Sequence, residues 1–234
     1  PLSTTLDTPG PMCKSAQDAA ALFNVLQGVD PLDRSTAQHQ FIDGLANLTG
    51  GVAGLRFAQL EQSELAGVEA DCLDAYQSAI ATLRGLGATV ETLHLPCSIA
   101  EMGNRVGRII GAEGYSFVGP LTDDPTSRVD PDIRPRIALG RNTTATEYLH
   151  MLRERESIKA TIETAIIGFD AVLTPSTLGA APVVAEIDQN DTPATFTRFV
   201  NFMDWCALSM PCGATHAGLP LSLQVACRYG REDL

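Results

Sequence analysis

Residues 54–93 constrain the fold most strongly, because they read as a strand, a helix and a second strand in succession. Residues 54–60 and 88–93 are short apolar segments typical of β-strands. Between them, residues 66–84 carry apolar side chains at helical spacing, and a glycine-rich turn ends that pattern. Two strands joined through one helix predict a right-handed β-α-β unit with parallel strands, and therefore an α/β protein.

A first helix is predicted to begin after Ser15. Asp18 lies three residues further on, which resembles a capping box, and Gly28 ends the helix. The buried stripe expected for this helix consists of Ala19, Leu22, Phe23 and Leu26. Upstream of it, the prolines and the glycine of residues 8–11 exclude a helix and require a turn.

Helices and strands continue to alternate downstream. Residues 98–118 are expected to be helical and residues 121–136 to form a loop. Thr144 and Glu147 give a second capping-box signal, which begins a long charged helix ending near residue 167. The last predicted elements are a strand at 170–175, a helix at 195–205, and strands at 207–210 and 219–227 around a turn at 211–213.

Composition fits one layered α/β/α domain with a mixed central sheet, spanning residues 1–234. Of the 234 residues, 44% are hydrophobic and 19% charged, which is enough apolar material for a real core. The formal charge of −12 disfavours a nucleic-acid partner. The chain lacks an uncharged apolar run of about 18 residues, so we expect no membrane span. Six scattered cysteines without a C-x-x-C pair favour reduced thiols in a cytoplasmic protein.

Short motifs follow one another along nearly the whole chain. They are STTLDTPGPM at 3–12, SxxDAA at 15–20, GLR at 54–56, LGAxV at 86–90, RIxLG at 136–140, FDAVLTP at 169–175, LSMPCG at 208–213 and GLPLSLQ at 218–224. Tyr148, Arg155 and Asn201 fall between them at matching places. Each piece alone is weak, but in this order they resemble the carboxyl-terminal half of the amidase signature family, which hydrolyses amides.

The resemblance implies a layered fold and a Ser-Ser-Lys mechanism. In the family, one serine attacks the amide carbonyl, a second serine in a cis peptide relays a proton to the lysine and the leaving group, and backbone N–H groups form the oxyanion hole. These residues precede the segment that matches residues 3–12. We therefore expect the catalytic residues in an amino-terminal part outside this chain, an incomplete fold, and no activity from this chain alone.

The residues present agree with that expectation. The chain contains no Gly-Gly-Ser-Ser stretch, and its two lysines, Lys14 and Lys159, fall at a helix start and inside a charged helix. Ser3 is not the nucleophile, because its surroundings match the later segment. The four histidines are isolated, so neither a metal nor a cofactor is expected. Cys212 invites a thiol-nucleophile interpretation, but a small buried residue at a strand end is favoured.

Arg136 is a candidate substrate-binding residue. In the glutamine-using tRNA amidotransferase branch of the family, the matching arginine grips the substrate's α-carboxylate, a task suited to a planar guanidinium. The alternative is a helix-start arginine in a surface ion pair. That branch also holds the substrate's amino group with an aspartate, where this chain has Ala194, with Asp191 only nearby. Together with Asp-Trp-Cys at 204–206 in place of Gly-Leu-Pro, this argues against glutamine as the substrate.

Residues 201–206 are expected near the family's substrate pocket. Asn201 is one candidate. Trp205, the single tryptophan, is either a flat wall for an apolar or aromatic acyl group or an ordinary core residue. Asp204 either binds a cationic group or is a solvated helix residue.

Three functions follow as hypotheses. The first is part of an amidase acting on a small carboxamide or a related C–N bond. Its partners are the small-molecule substrate and the missing amino-terminal half, with homo-oligomerisation through exposed apolar surface as a further possibility. The second is a non-catalytic subunit or pseudoenzyme that binds a partner or small molecule. The third, a tRNA-dependent amidotransferase A-type subunit, is disfavoured by Ala194 and the acidic surface.

Overall fold

A computed structural model describes residues 2–189 and 193–234. The helices are α1 (Ala16–Leu26), α2 (Ala70–Gly85), α3 (Ile99–Asp123), α4 (Arg134–Ala138), α5 (Ala145–Ala165) and α6 (Arg198–Met203). The strands are β1 (Arg56–Leu60), β2 (Thr89–Leu93), β3 (Ala171–Pro175), β4 (Cys206–Ala214) and β5 (Pro220–Cys227). Short 3-10 helices occur at Arg34–Thr36, Gln62–Leu65 and Val184–Glu186. No helix within the described ranges is long and apolar enough to cross a membrane.

The strands form one mixed sheet in the order β2-β1-β3-β5-β4. Strands β1 and β2 are adjacent and parallel, so the predicted β-α-β unit is confirmed. Strand β3 is parallel to β1 and antiparallel to β5, which in turn is antiparallel to β4. Every residue of β3 is buried, so both faces of this central strand are covered. The layered α/β class with a mixed sheet is therefore as the sequence predicts.

Helix α2 is attached to the sheet through Tyr76. The phenol hydroxyl of this buried side chain donates to the carbonyl of Leu173, 2.9 Å away, and accepts from the amide of Leu60 at 3.2 Å. It thus bridges β1 and β3, which pair with each other. Burial raises the pKa of Tyr76 to about 12, so the hydroxyl stays protonated as a donor at neutral pH.

The two capping signals read from the sequence are present. Ser15 accepts a hydrogen bond from the amide of Asp18 at 3.1 Å, and α1 begins at the next residue. Thr144 and Glu147 form a reciprocal capping box at the start of α5. Helix α3 is longer than predicted and passes through Pro120 near its end. A proline removes one backbone N–H, and beyond it the hydroxyl of the buried Thr122 donates to the carbonyl of Val118 at 3.0 Å.

The loop predicted at 121–136 is shorter, because it contains the end of α3 and the start of α4. Three further local predictions were wrong. Helix α1 contains no buried residue, and Leu22 and Leu26 are 45% and 66% exposed, because the helix contacts little beyond the segment near Gly44. The turn expected at 211–213 is a bulge within β4, and the chain turns at 215–218 instead. Proline is tolerated there because β4 lies at the sheet edge. Helix α6 is shorter than residues 195–205.

A buried glutamate holds the start of residues 2–12, a segment that we call the lead-in. The Glu113 carboxylate of α3 accepts from the Ser3 hydroxyl at 2.5 Å, from the Thr5 amide at 3.1 Å, and from the Thr5 hydroxyl. The Tyr148 hydroxyl of α5 donates to it from 2.5 Å. Burial acts to raise the pKa of Glu113, but these hydrogen bonds together hold it below its ordinary value.

We expect Glu113→Gln to lower the free energy of unfolding by about 2 kcal/mol at pH 7, because an amide cannot accept from all of these donors. The ordinary pKa is 4.5 and the folded value is lower, so the stabilisation by the carboxylate is present above 4.5 and is lost as pH falls through the folded value. Urea unfolding at neutral and acidic pH measures this. Glu186→Gln, at an exposed position, is the control. An equal loss of unfolding free energy in Glu113→Gln and Glu186→Gln would contradict the prediction. So would a stability difference between Glu113→Gln and the wild type that is the same at neutral and acidic pH.

Candidate functional site

An open groove with a volume of about 600 Å³ lies between the lead-in, α3 and the segment that enters α6. It is lined by Leu6, Asp7, Thr8, Pro9, Val106, Ile110, Ala194, Thr197, Arg198 and Asn201. One wall is apolar and comes from α3, whereas the opposite walls carry amide, hydroxyl and charged groups. An apolar concave surface with a few polar groups is the arrangement that small-molecule sites commonly have.

Asn201 joins two walls of the groove. Its half-buried side chain donates from Nδ2 to the carbonyl of Leu6 at 2.6 Å, and the Thr8 hydroxyl lies 3.4 Å from the same nitrogen. Among the described residues, no hydrogen bond to Oδ1 of Asn201 is formed, so this oxygen keeps its capacity to accept one. Of the four predicted site residues, Asn201 is the one that lines this groove.

Asp204 ends α6 in the left-handed conformation, with φ of 56°. Its carboxylate is engaged within the protein: Arg155 of α5 donates to Oδ1, and the Lys159 ammonium lies 2.5 Å from Oδ2. The buried Arg155 guanidinium also donates to the carbonyls of Phe202 at 2.8 Å and Asn201 at 3.1 Å. Three groups at the end of α6 are thus held by one side chain of α5, which fixes the helix that carries Asn201.

Trp205 is buried behind the groove and does not line it. Its indole N–H donates to the Glu163 carboxylate at 2.6 Å, and its ring meets Phe199 edge-on, with centroids 6.0 Å apart and planes at 79°. Buried tryptophans usually satisfy the indole N–H in this way. The residue therefore packs against α6 from the core, and its role as a pocket wall stays a prediction.

Arg136 lies on α4, and its guanidinium donates to the carbonyl of Gln189. Helix α4 is followed by Gly140, which packs directly on α3: a Cβ at Gly140 would overlap the carbonyl group of Gly111. Only glycine permits that approach. The structure therefore places Arg136 beside the groove's α3 wall but outside its lining.

The position expected to carry the amino-group ligand does lie at the groove. Ala194 is part of the lining, so a methyl group lies at the position that we aligned, from the sequence, with the aspartate of the glutamine-using branch. Asp191, the nearby alternative, lies outside the described residues. Nothing at Ala194 itself offers a charge for a substrate ammonium.

Sequence reasoning missed two supports of the site. Gln224 of β5 is buried and donates from Nε2 to the carbonyl of Phe196 at 2.7 Å and to the Thr174 hydroxyl at 2.9 Å, which holds the segment before α6. Glu113 holds the lead-in. Each had a signal in the sequence: a glutamine that ends an apolar strand motif, and a lone glutamate between glycines in an apolar helix.

Comparison with known proteins places the chain in a family. The family model described as Amidase matches residues 1–234, and the chain belongs to that family. The glutamyl-tRNA(Gln) amidotransferase A-type subunit of Geobacter metallireducens is 27% identical over 266 residues, covering 99% of this chain and 54% of that protein. Its counterpart in Lysinibacillus sphaericus is 29% identical over 259 residues, covering 98% and 53%. The chain thus spans about half the length of the curated relatives it matches.

Solved structures show the same relation. The crystal structure of the Thermotoga maritima counterpart of these amidotransferase proteins superposes with a TM-score of 0.81 at 27% identity, covering 99% of this chain and 51% of that one. A member of a vestigial protein complex linked to the origins of an s-triazine catabolic enzyme superposes with a TM-score of 0.86 at 21% identity, covering 100% and 52%. A bacterial aryl acylamidase of the amidase signature family gives 0.77 at 20% identity, covering 96% and 50%. These last two matches establish the fold alone.

We expect Arg155→Met to cost about 3 kcal/mol of unfolding free energy, because it leaves buried carbonyls and a carboxylate without their donor. Lys159→Met is the matched control. It removes a cation from the same Asp204 carboxylate, but the Lys159 side chain is 18% exposed where that of Arg155 is 6% exposed, and among the described residues it donates to no buried carbonyl. We therefore expect a loss of no more than about 1 kcal/mol. Thermal and urea unfolding of both variants compare the two losses. Equal losses would mean that Arg155 does not hold α6 as described.

We expect Asn201→Asp to loosen the lead-in, because a carboxylate cannot donate to the Leu6 carbonyl. One lost hydrogen bond corresponds to about tenfold faster amide exchange for residues 6–8. Hydrogen–deuterium exchange read by mass spectrometry measures this. Asn104→Asp, on an exposed face of α3, is the matched control and should leave these amides unchanged. Unaltered exchange in Asn201→Asp would contradict the bridging role.

Proposed function

We propose that this chain is the carboxyl-terminal half of an amidase that hydrolyses a small carboxamide or a related C–N bond, such as that of a urea derivative. The attacking serine, the relay serine and the lysine would come from an amino-terminal part outside residues 1–234. The observation that carries the proposal is the open groove, because two of its walls are built from segments that match family motifs: the lead-in and the region of Asn201.

The groove suggests how this half would act. Ile110, which is half-buried, gives an apolar contact for the acyl part of the substrate, with the buried Leu6 and Val106 packed behind it. The amide of Asn201 offers a polar contact that fixes the orientation of the scissile bond relative to the serine supplied from the other side. Orientation of this kind contributes to catalysis even when the chemical groups reside elsewhere.

The remaining candidate residues have different places in this proposal. Arg136, beside the α3 wall, would meet an anionic end of the substrate if that end extends past Ile110. Asp204 and Trp205 would shape the pocket from behind, since Asp204 ends α6 and Trp205 packs beneath it. The stability of α6 then becomes a condition for binding.

The β4 edge of the sheet offers a place where the proposed amino-terminal half could pair. Strand β4 pairs with β5 alone among the described strands, and Leu208 and Met210 on it are exposed. A long exposed edge strand commonly receives a further strand. We assign that role to the amino-terminal part of the same enzyme, in the cytoplasm. The alternative occupant of this edge is a second copy of the isolated chain.

Two other functions stay as alternatives. A tRNA-dependent amidotransferase subunit is favoured by the names of the relatives at 27–29% identity. It is disfavoured by Ala194 in the groove and by the formal charge of −12. A non-catalytic subunit or pseudoenzyme would bind a small molecule in the same groove without the serine.

The decisive experiment is to purify the protein from its source, measure its intact mass, and assay ammonia release from small aliphatic and aryl carboxamides, urea derivatives and glutamine. We expect a species about twice 24.8 kDa, or a tightly bound second chain, that hydrolyses a carboxamide and reacts with a serine-directed fluorophosphonate. A lone 24.8 kDa chain without activity would favour the pseudoenzyme. Activity on glutamine alone would favour the amidotransferase.

In the active protein, Asn201→Leu should lower kcat/KM about tenfold to a hundredfold, which corresponds to about 1.4–2.7 kcal/mol for one lost polar contact. Asn104→Leu, on the exposed face of α3, should leave kcat/KM unchanged. Steady-state kinetics on the best carboxamide of the panel measure both. An unchanged kcat/KM in Asn201→Leu would remove the groove from the proposed site.

A further inference from the structure

The first residue of β4 and the last residue of β5 are both cysteines, and they face each other. Cys206 pairs with Cys227 in the antiparallel register. Directly opposed side chains of an antiparallel pair lie on the same face of the sheet, at a separation close to the one that a disulfide requires. The Cys206 thiol also lies 3.6 Å from the carbonyl oxygens of Cys227 and Arg228. Both cysteines are free thiols.

The two thiols have unequal acidity. A hydrogen bond from Cys206 lowers the pKa of Cys227, and the Arg231 guanidinium lowers it further against the effect of burial. The same hydrogen bond, with burial, raises the pKa of Cys206. Cys227 is therefore the more acidic thiol and Cys206 the one that holds its proton more tightly, which is how an attacking and a resolving thiol differ.

The other cysteines lack this combination. Burial raises the pKa of Cys72 and Cys212, and burial raises the pKa of Cys97 to about 11. Cys13 is exposed just after the lead-in. Among the cysteines, the pair at the ends of β4 and β5 is thus the one in which two thiols face each other across paired strands.

We propose that Cys206 and Cys227 form a reversible disulfide on oxidation by hydrogen peroxide. The Cys227 thiolate attacks one peroxide oxygen, the O–O bond breaks, and hydroxide leaves as the sulfenic acid forms. The Cys206 sulfur then attacks the Cys227 sulfur, the S–O bond breaks, and water leaves with the proton of Cys206. The hydroxide takes up the proton that Cys227 lost in forming its thiolate, so two thiols and one peroxide give one disulfide and two waters. A small oxidant suits this site, because Cys227 is 7% exposed and Cys206 half-buried.

The test uses the protein purified at its natural length. It is treated with hydrogen peroxide, quenched with catalase, alkylated in denaturant and digested with chymotrypsin. Trypsin is unsuitable, since Cys206, Cys212 and Cys227 share one peptide between Arg198 and Arg228. We expect a linked pair of peptides containing Cys206 and Cys227, and loss of both from the alkylated pool. Dithiothreitol should restore both thiols, which separates the disulfide from methionine oxidation.

The variants separate this pair from other cysteines. Cys212→Ser should still form the disulfide, whereas Cys206→Ser should leave Cys227 to gain oxygen before the remaining cysteines do. Cys227→Ser should leave Cys206 unmodified. Full alkylation of both thiols in the wild-type protein after peroxide, a link to Cys72 or Cys212, or loss of the disulfide in Cys212→Ser would each overturn the proposal. The wild-type peptide map decides even if a serine variant fails to fold.

Discussion

The carboxylate of Glu113 is the interaction on which the arrangement of this chain depends. It lies inside the protein, where an ionised group is costly unless it is fully hydrogen-bonded, and its donors come from parts of the chain that are far apart in sequence. Residues 3 and 5 belong to the lead-in, and Tyr148 belongs to α5. Satisfying one buried charge therefore fixes the positions of three segments at once. One of them is the lead-in that forms a wall of the groove.

Arg155 is a second buried charge, of the opposite sign, whose hydrogen bonds also join segments that are far apart in sequence. Its guanidinium is buried, and its N–H groups donate to two carbonyls and one carboxylate at the end of α6. A helix as short as α6 gains little from its own hydrogen bonds, since helix formation is cooperative and needs a nucleus. Its place is instead set by side chains from α5 and β5, namely Arg155 and, through the preceding segment, Gln224. The groove is thus made by elements that depend on tertiary contacts.

This dependence explains what the sequence predicts and what it does not. Periodicity and capping residues act locally, so β1, α2, β2 and the start of α5 are recovered from the sequence within a few residues. The buried stripe of α1 is not, because spacing reports an apolar face but not whether anything covers it. The proline at 211 signals a turn locally, yet its place at a sheet edge makes it acceptable within a strand.

The candidate site shows the same division. Asn201 was identified from motif order, and the structure brings it to the groove. The separation of Asp204 and Trp205 from the groove follows from Lys159, Arg155 and Glu163, whose side chains reach them from α5, far earlier in the chain. No local pattern contains that information. The motif match at Arg136 likewise says which residue is present, whereas the packing of Gly140 on Gly111 decides where it lies.

The bulge between Pro211 and Gly213 also affects how the exposed edge of β4 meets other chains. Proline has no N–H to donate, and a bulge shifts the register and increases the local twist. A strand that adds to this edge therefore finds a regular ladder only up to residue 210. Unrelated strands, including a second copy of β4, gain few hydrogen bonds there, so the edge is a poor template for fibres. A partner strand with a matching irregularity keeps its backbone hydrogen bonds to this edge. The bulge therefore makes the edge selective for such a partner.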